Sequence, residues 1–297
     1  MQFALVVIGP KGGARDAVAT FINRLETMPQ IHVTAQDALD TQAMSLTCTG
    51  ADDGLPDRHR LRALAAACGV DVYLSAGAPR KRRLLLADME ATIILDEMLD
   101  RLAEERGIEG QIKGITARAM AGELDFAQSL EVRTRLFAGV PQSLLEDLAT
   151  RMNFTPGART LVATMRASGA LTVLVTGGYS IFADRVAQVC GFDRVVTNHP
   201  LMSGGVMTGA LRAPVGTAET KRDVLLACCA ELGISPDMAC CIGDGANDAL
   251  MLGSCGLPIS YQGKPVVQDL VDLNITCGDL SAALYAQGFT RSQIVRA

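Results

Sequence analysis

The stretch LLLADMEATII, Leu84 to Ile94, runs a short apolar segment straight into two acids spaced i, i+2 before the chain turns apolar again. A run such as Leu84-Leu85-Leu86-Ala87, with no polar alternation, suits a strand covered on both faces, as in a parallel sheet. Open parallel sheets present side chains to ligands at the carboxyl ends of their strands. Asp88 and Glu90 stand at such an end, which makes them the first candidates for chemistry.

Working outward, "LTVLVTG" (171–177), "RVVTN" (194–198) and "MACCIGD" (238–244) repeat the pattern of short apolar strands separated by helical sequence. The expectation is an α/β fold with a doubly wound parallel sheet over residues 79–297. A helical pattern from Asp96 to Asn153 interrupts it, predicting a small helical cap at about 95–153. Ahead of this body, "FALVVIG" (3–9), "RDAVATFINRLETM" (15–28), "IHVTAQDA" (31–38), "QAMSLTCTG" (42–50), "DRHRLRALAAACG" (57–69) and "VDVYLSA" (70–76) read in the order βαββαβ. That order predicts a ferredoxin-like α+β domain over residues 1–78. "GAPRKRR" (77–83) carries the turn and charge signals of a linker.

The bulk numbers narrow the function class. With 20% charged residues and a formal net charge of -5, the chain lacks the basic footprint of a nucleic-acid binder. No segment approaches the roughly 18 uninterrupted apolar residues of a membrane span, and "MQFALVVIGPKGG" does not read as a signal peptide. The nine cysteines sit in apolar or helical contexts with no CxxC spacing, so reduced thiols in a cytoplasmic protein are expected.

Three strand ends carry chemistry. The first supplies Asp88 and Glu90, and the second supplies Thr176-Gly177-Gly178, a hydroxyl followed by glycines that admit an anion close to the backbone. The third, "GDGANDALML" (243–252), supplies Asp244, Asn247 and Asp248 around a glycine turn. Lys221 opens a helix between the second and third. Carboxylates from two strand ends, offering oxygen alone, suit Mg²⁺ rather than zinc. A hydroxyl, a glycine amide and a lysine suit a phosphoryl group. By themselves, Glu97 in "LDEMLDRLAEE" and Arg133 in "SLEVRTRL" are ordinary helix charges, and Met120 and Phe126 fit either a cap lining or core packing.

In these motifs the chain resembles the haloacid dehalogenase superfamily of phosphatases and, within it, the phosphoserine phosphatase group. The resemblance covers about residues 80–290. The family's Asp-x-Asp-x-Thr falls on Asp88, Glu90 and Thr92 with the second acid changed. Its Ser-Gly-Gly falls on Thr176, Gly177 and Gly178, its lysine on Lys221, and its last motif on Asp244, Asn247 and Asp248. Glu97 and Arg133 fall on its substrate-recognising acid and arginine.

The resemblance implies a Mg²⁺-dependent hydrolase of O-phospho-L-serine, the last step of serine biosynthesis, working through an aspartyl-phosphate on Asp88. In it Glu90 is acid and base, and Lys221, Thr176, Gly177 and Asn247 hold the phosphoryl group. Asp88, the backbone carbonyl of Glu90 and Asp244 ligate the metal, and Asp248 supports it from behind. It also implies a small phosphomonoester as partner, neither nucleic acid nor membrane, and is compatible with a homodimer. Two alternatives stand beside it: a phosphoserine:homoserine-type phosphotransferase, and a degenerate non-catalytic amino-acid-sensing homologue. The second is motivated by Glu90 for Asp, Ala91 for Ser and Thr176 for Ser.

Overall fold

The structure, a computed structural model, describes residues 1–10, 12–28, 30–50 and 55–296. The first six elements are β1 (Gln2–Ile8), α1 (Ala14–Glu26), β2 (Ile31–Asp40), β3 (Ala43–Gly50), α2 (Arg58–Cys68) and β4 (Asp71–Ser75). They form an antiparallel sheet of order β2-β3-β1-β4, the split βαβ arrangement that the element order predicts. Period-2 alternation divides β1 between two cores. Phe3, Leu5 and Val7 face α1 and α2, packing on Val18, Phe21 and Leu61. Val6 and Ile8 face the other way and belong to the same core as Leu280 and Tyr285 of the following body. Both faces of β1 are therefore covered.

The body begins with β5 (Leu84–Ala87) and a single turn over Met89–Ile93. Four cap helices follow: α3 (Met98–Arg106), α4 (Glu109–Met120), α5 (Phe126–Leu136) and α6 (Gln142–Thr150). Then come α7 (Ala158–Ala167), β6 (Leu171–Tyr179), α8 (Ser180–Cys190) and β7 (Arg194–Asn198), and a hairpin of β8 (Pro200–Ser203) and β9 (Val206–Leu211). The chain continues with α9 (Ala218–Leu232), β10 (Ala239–Gly243), α10 (Ala249–Leu252), β11 (Leu257–Tyr261), α11 (Pro265–Gln268), β12 (Leu273–Ile275) and α12 (Ala282–Tyr285).

The six strands of the body form a parallel sheet of order β12-β11-β10-β5-β6-β7. Leu84 and Leu86 point to a core shared with α9 and α10, whereas Leu85 and Ala87 point to one shared with α7 and α8. All four residues of β5 are buried, so the apolar run in the sequence reflects helices on both faces. β5 lies in the middle of the sheet, paired with β10 on one side and β6 on the other. Asp88, the next residue, is thereby set between the ends of those two strands.

The β11 and β12 strands and the β8–β9 hairpin have no counterpart in the sequence reading. β11 contains Pro258, and a proline inside an apolar run argues against a strand. β12 has three residues, too few for a period to show. The hairpin backs the cap: Met207 N–H donates to Val140 O at 2.8 Å and Gly139 N–H to Met207 O at 2.8 Å. Part of the cap's support thus comes from residues distant in sequence.

Among the described residues no helix is long and apolar enough to cross a membrane.

Candidate active site

Asp88 leaves β5 in extended conformation, and the turn that follows reverses the chain at once. Ala91 adopts φ 52° and Ile94 N–H donates to Met89 O at 2.9 Å. A non-glycine residue in the left-handed region costs on the order of 1 kcal/mol, and here it folds the chain back over the strand end. The chain enters and leaves the cap through paired crossings, Leu95 N–H to Asn153 O at 2.8 Å and Thr155 N–H to Ile93 O at 3.0 Å. Asp96 ties them further, accepting from the side chains of Asn153 and Arg101. Helix α5 then lays one face over the strand ends: Phe126, Ser129, Leu130 and Arg133, at the i, i+3, i+4, i+7 spacing of a helix face, all line one cavity of about 870 Å³.

The floor of that cavity is charged. Lys221, 5% exposed, places Nζ 2.8 Å from Asp88 Oδ1 and 2.7 Å from Asp248 Oδ1. Asp248 has no exposure and also accepts from the amides of Asp244 and Gly245, at 3.0 and 3.1 Å. Asn247 Nδ2 lies 3.4 Å from Asp88 Oδ2. Burial and the Asp248 carboxylate push the Asp88 carboxyl up, with Lys221 opposing them. Burial works against the charge of Lys221 too, yet Asp88 and Asp248 outweigh it and hold the ammonium above its ordinary value.

Glu90 reaches across the turn so that its Oε1 accepts from Met98 N–H at 2.9 Å, at the start of α3. Burial first, then the negative charge of Glu97, push this carboxyl up to about 8, against the Met98 amide, which lowers it. It therefore carries a proton at neutral pH. On the opposite wall, Thr176 Oγ1 accepts from Gly178 N–H at 2.9 Å. A β-carbon on Gly177 would lie 2.4 Å from Phe126 Cζ, so the lack of a side chain there lets the cap ring close on the strand end.

The carboxylates of Asp88, Asp244 and Asp248 bring oxygens within 4.8 Å of one another, all buried. An oxygen-only set of this kind fits a hard divalent cation. Asp88 and Asp244 line the cavity, whereas Asp248 lies behind it with both oxygens engaged by Lys221 and two amides, so Asp88 and Asp244 are the carboxylates turned to a cation. The Glu90 side chain lies outside this group.

All ten sequence-predicted residues come to this one place. Asp88, Glu90, Glu97, Arg133, Thr176, Gly177, Asp244 and Asn247 line the cavity, Lys221 bonds its floor, and Asp248 lies behind it. Phe126 is part of the lining, whereas the Met120 side chain is outside the described part. Four participants escaped the sequence reading. Lys264 places Nζ 2.8 Å from Asp244 Oδ2; its signal, a Gly-Lys-Pro helix start, depends on recognising β11. Asn198 bridges Gly177 O and Gly216 N–H, both at 2.8 Å. Tyr179 Oη and Thr134 Oγ1, 2.7 Å apart and buried, join β6 to α5.

The sequence and fold are similar to those of known proteins. The model of the haloacid dehalogenase-like hydrolase family matches residues 85–253. A phosphoserine phosphatase of Archaeoglobus fulgidus is 34% identical over 229 residues, which is 76% of this chain and 67% of that protein. A phosphoserine phosphatase of Mycobacterium tuberculosis is 34% identical over 215 residues, 72% of this chain. The chain spans only 53% of that relative's length. Among solved structures, a haloacid dehalogenase family hydrolase from Salmonella enterica serovar Typhi superposes with a TM-score of 0.86 at 26% identity, over 96% of this chain and 98% of that one.

Proposed function

The chain belongs to the haloacid dehalogenase-like hydrolases, and from that premise we propose that it is a Mg²⁺-dependent phosphatase of O-phospho-L-serine. The observation that carries the proposal is the joint lining of one cavity. A nucleophile paired to a buried lysine (Asp88, Lys221) and a protonated acid (Glu90) share it with a carboxylate and a guanidinium, Glu97 and Arg133. The last two complement the ammonium and carboxylate of a zwitterionic leaving group.

Asp88 Oδ2 attacks phosphorus in line while the bond from phosphorus to the seryl oxygen breaks, and Glu90 gives its proton to that oxygen. Serine leaves and a water takes its place. Glu90, now ionised, accepts a proton from the water as its oxygen attacks phosphorus. The bond to Asp88 breaks, releasing inorganic phosphate and restoring both residues. Lys221, the Thr176 hydroxyl and the Gly177 amide hold the equatorial oxygens through both steps. Asp88, Asp244 and the Glu90 carbonyl would hold Mg²⁺, which would supply positive charge to lower the repulsion between carboxylate and phosphate dianion. Asp248 orients Lys221, and Asn247 positions Asp88.

Residues 79–297 act as the catalytic body with the cap at about 95–153, and residues 1–78 as a regulatory-type domain. The nine cysteines, all free, suit a reducing cytoplasm. The names of the relatives favour hydrolysis over phosphotransfer or sensing. The test is phosphate release from phosphoserine with and without Mg²⁺, for the parent and for Asp88→Asn. Release by the parent that requires Mg²⁺ and disappears in the variant is expected. Turnover by Asp88→Asn near the parent rate, with deamidation excluded, would rule out the aspartyl-phosphate.

A further inference from the structure

Two lysines neutralise the acidic floor, and they do so differently. Lys221 is 5% exposed and bonded to two carboxylates, so it has nowhere to go. Lys264 is 59% exposed on the side-chain scale and holds Asp244, itself 8% exposed, through one 2.8 Å contact. Its backbone is anchored while its side chain is not. Lys264 N–H donates to Asp244 O at 2.8 Å, and the residue caps α11 ahead of Pro265. The flexible stem therefore pivots from a fixed base beside the carboxylate it covers.

Asp244 Oδ2 carries Lys264 as its ion-pair partner, and Asp244 is one of the two carboxylates left to a divalent cation. An ammonium and a divalent cation on the same carboxylate repel each other in a site of reduced dielectric. An alternative seat is at hand: Glu97 lines the same cavity as Lys264, and its negative charge already acts on the Lys264 ammonium.

We propose that Lys264 is an exchangeable internal counter-ion. It holds Asp244 while no divalent cation is bound, and moves off Asp244 toward Glu97 when one arrives. The inference rests on the cation seat at Asp88 and Asp244 and assigns to Lys264 a role in setting cation affinity. Removing its charge removes both a competitor and a repulsive neighbour, so the affinity must rise. A residue that merely supported the fold would give the opposite sign.

The experiment is a calorimetric titration of the full chain with Mg²⁺, without substrate, beside thermal melts in chelator. Lys264→Met and Lys264→Gln should bind Mg²⁺ roughly 3–10-fold more tightly than the parent, and Lys264→Arg should stay near it. Without cation, both neutral variants should melt lower than the parent, because Asp244 then faces Asp88 unpartnered, and saturating Mg²⁺ should abolish the difference. Asp244→Asn should suppress the binding heat in every background. Equal or weaker binding by both neutral variants overturns the proposal, as does a parent that binds no Mg²⁺ at all. Tighter binding by the neutral variants in a protein that does not hydrolyse phosphoserine would leave the counter-ion role standing and remove the substrate assignment instead.

Discussion

Glu90 carries one methylene more than the aspartate its motif resembles, and the structure shows where that length goes. The carboxyl reaches the Met98 amide with one oxygen. A β-carbon on Gly178 would lie 3.3 Å from the other. The room for the longer acid is thus provided by Gly178 on β6, rather than by Ala91, whose left-handed φ serves the turn. Glu90→Gln should lower kcat by about 10²–10⁴-fold, the range for loss of acid–base assistance, while Glu90→Asp should lose far less. Since the Glu90 carboxyl is raised to about 8, it donates at neutral pH and loses its proton as pH rises through that value. Single-turnover phosphorylation of the parent should therefore fall above about pH 8, and Glu90→Gln should show no such limb. A Gln variant with the parent's rate and pH profile would exclude Glu90 as the acid.

At the scale of elements, the shape of the cavity depends on α5 being held over the end of β6. The buried Thr134–Tyr179 hydroxyl pair and the Phe126–Gly177 contact fix that relation. Gly177→Ala forces the Phe126 ring aside and with it the first residue of α5. The expected result is a loss of at least about tenfold in kcat/KM, the scale on which small misplacements act, and Phe126→Ala should recover part of it. Additive losses in the double variant would mean that the ring and the strand are not coupled. Arg133, one helix face along, lines the cavity and donates through Nε to Ser129 O at 3.4 Å, with no ion pair to it among the described residues, so its guanidinium is available to a ligand. A charge-assisted contact contributes on the order of 1.5–3 kcal/mol. Arg133→Ala should accordingly raise KM for phosphoserine by roughly ten- to hundredfold and leave KM for an uncharged phosphomonoester nearly unchanged. Equal losses on both substrates would make Arg133 structural.

At the scale of the whole molecule, α2 and β4 of the N-terminal unit grip the segment that follows Lys264. Arg62 donates to Gln268 O at 2.6 Å and also to Val271 O, and Arg58 pairs with Asp272 at 2.8 Å. Asp71, 2% exposed on β4, accepts from the amides of Thr276, Cys277 and Gly278 and from the Thr276 hydroxyl. Removing that buried carboxylate breaks four hydrogen bonds to a charged acceptor, at a cost of about 3 kcal/mol. Asp71→Ala should therefore lower Tm by roughly 5–10 °C, read by calorimetry as a shift of the whole transition. A separate early transition for residues 1–78, with the remainder unmoved, would show that the two sheets melt independently.

The strand ends, their order and the ten residues brought to one cavity were legible in the sequence. Most follow from local pattern: apolar runs that only a doubly covered strand explains, and acids or glycines where such a strand must stop; Glu97 and Arg133, ordinary helix charges by pattern, followed from the family resemblance alone. The βαββαβ order likewise pointed to a ferredoxin-like α+β unit. Tertiary structure alone decided what depends on distance across the chain. Lys264 reaches Asp244 because β11, hidden by Pro258, lies next to β10. The hairpin 200–211 supports the cap by bonding residues 139–142, and Gly178 makes room for Glu90 from another strand. No local period encodes such contacts, because each partner obeys its own strand or helix and the meeting is set by the order of strands in the sheet.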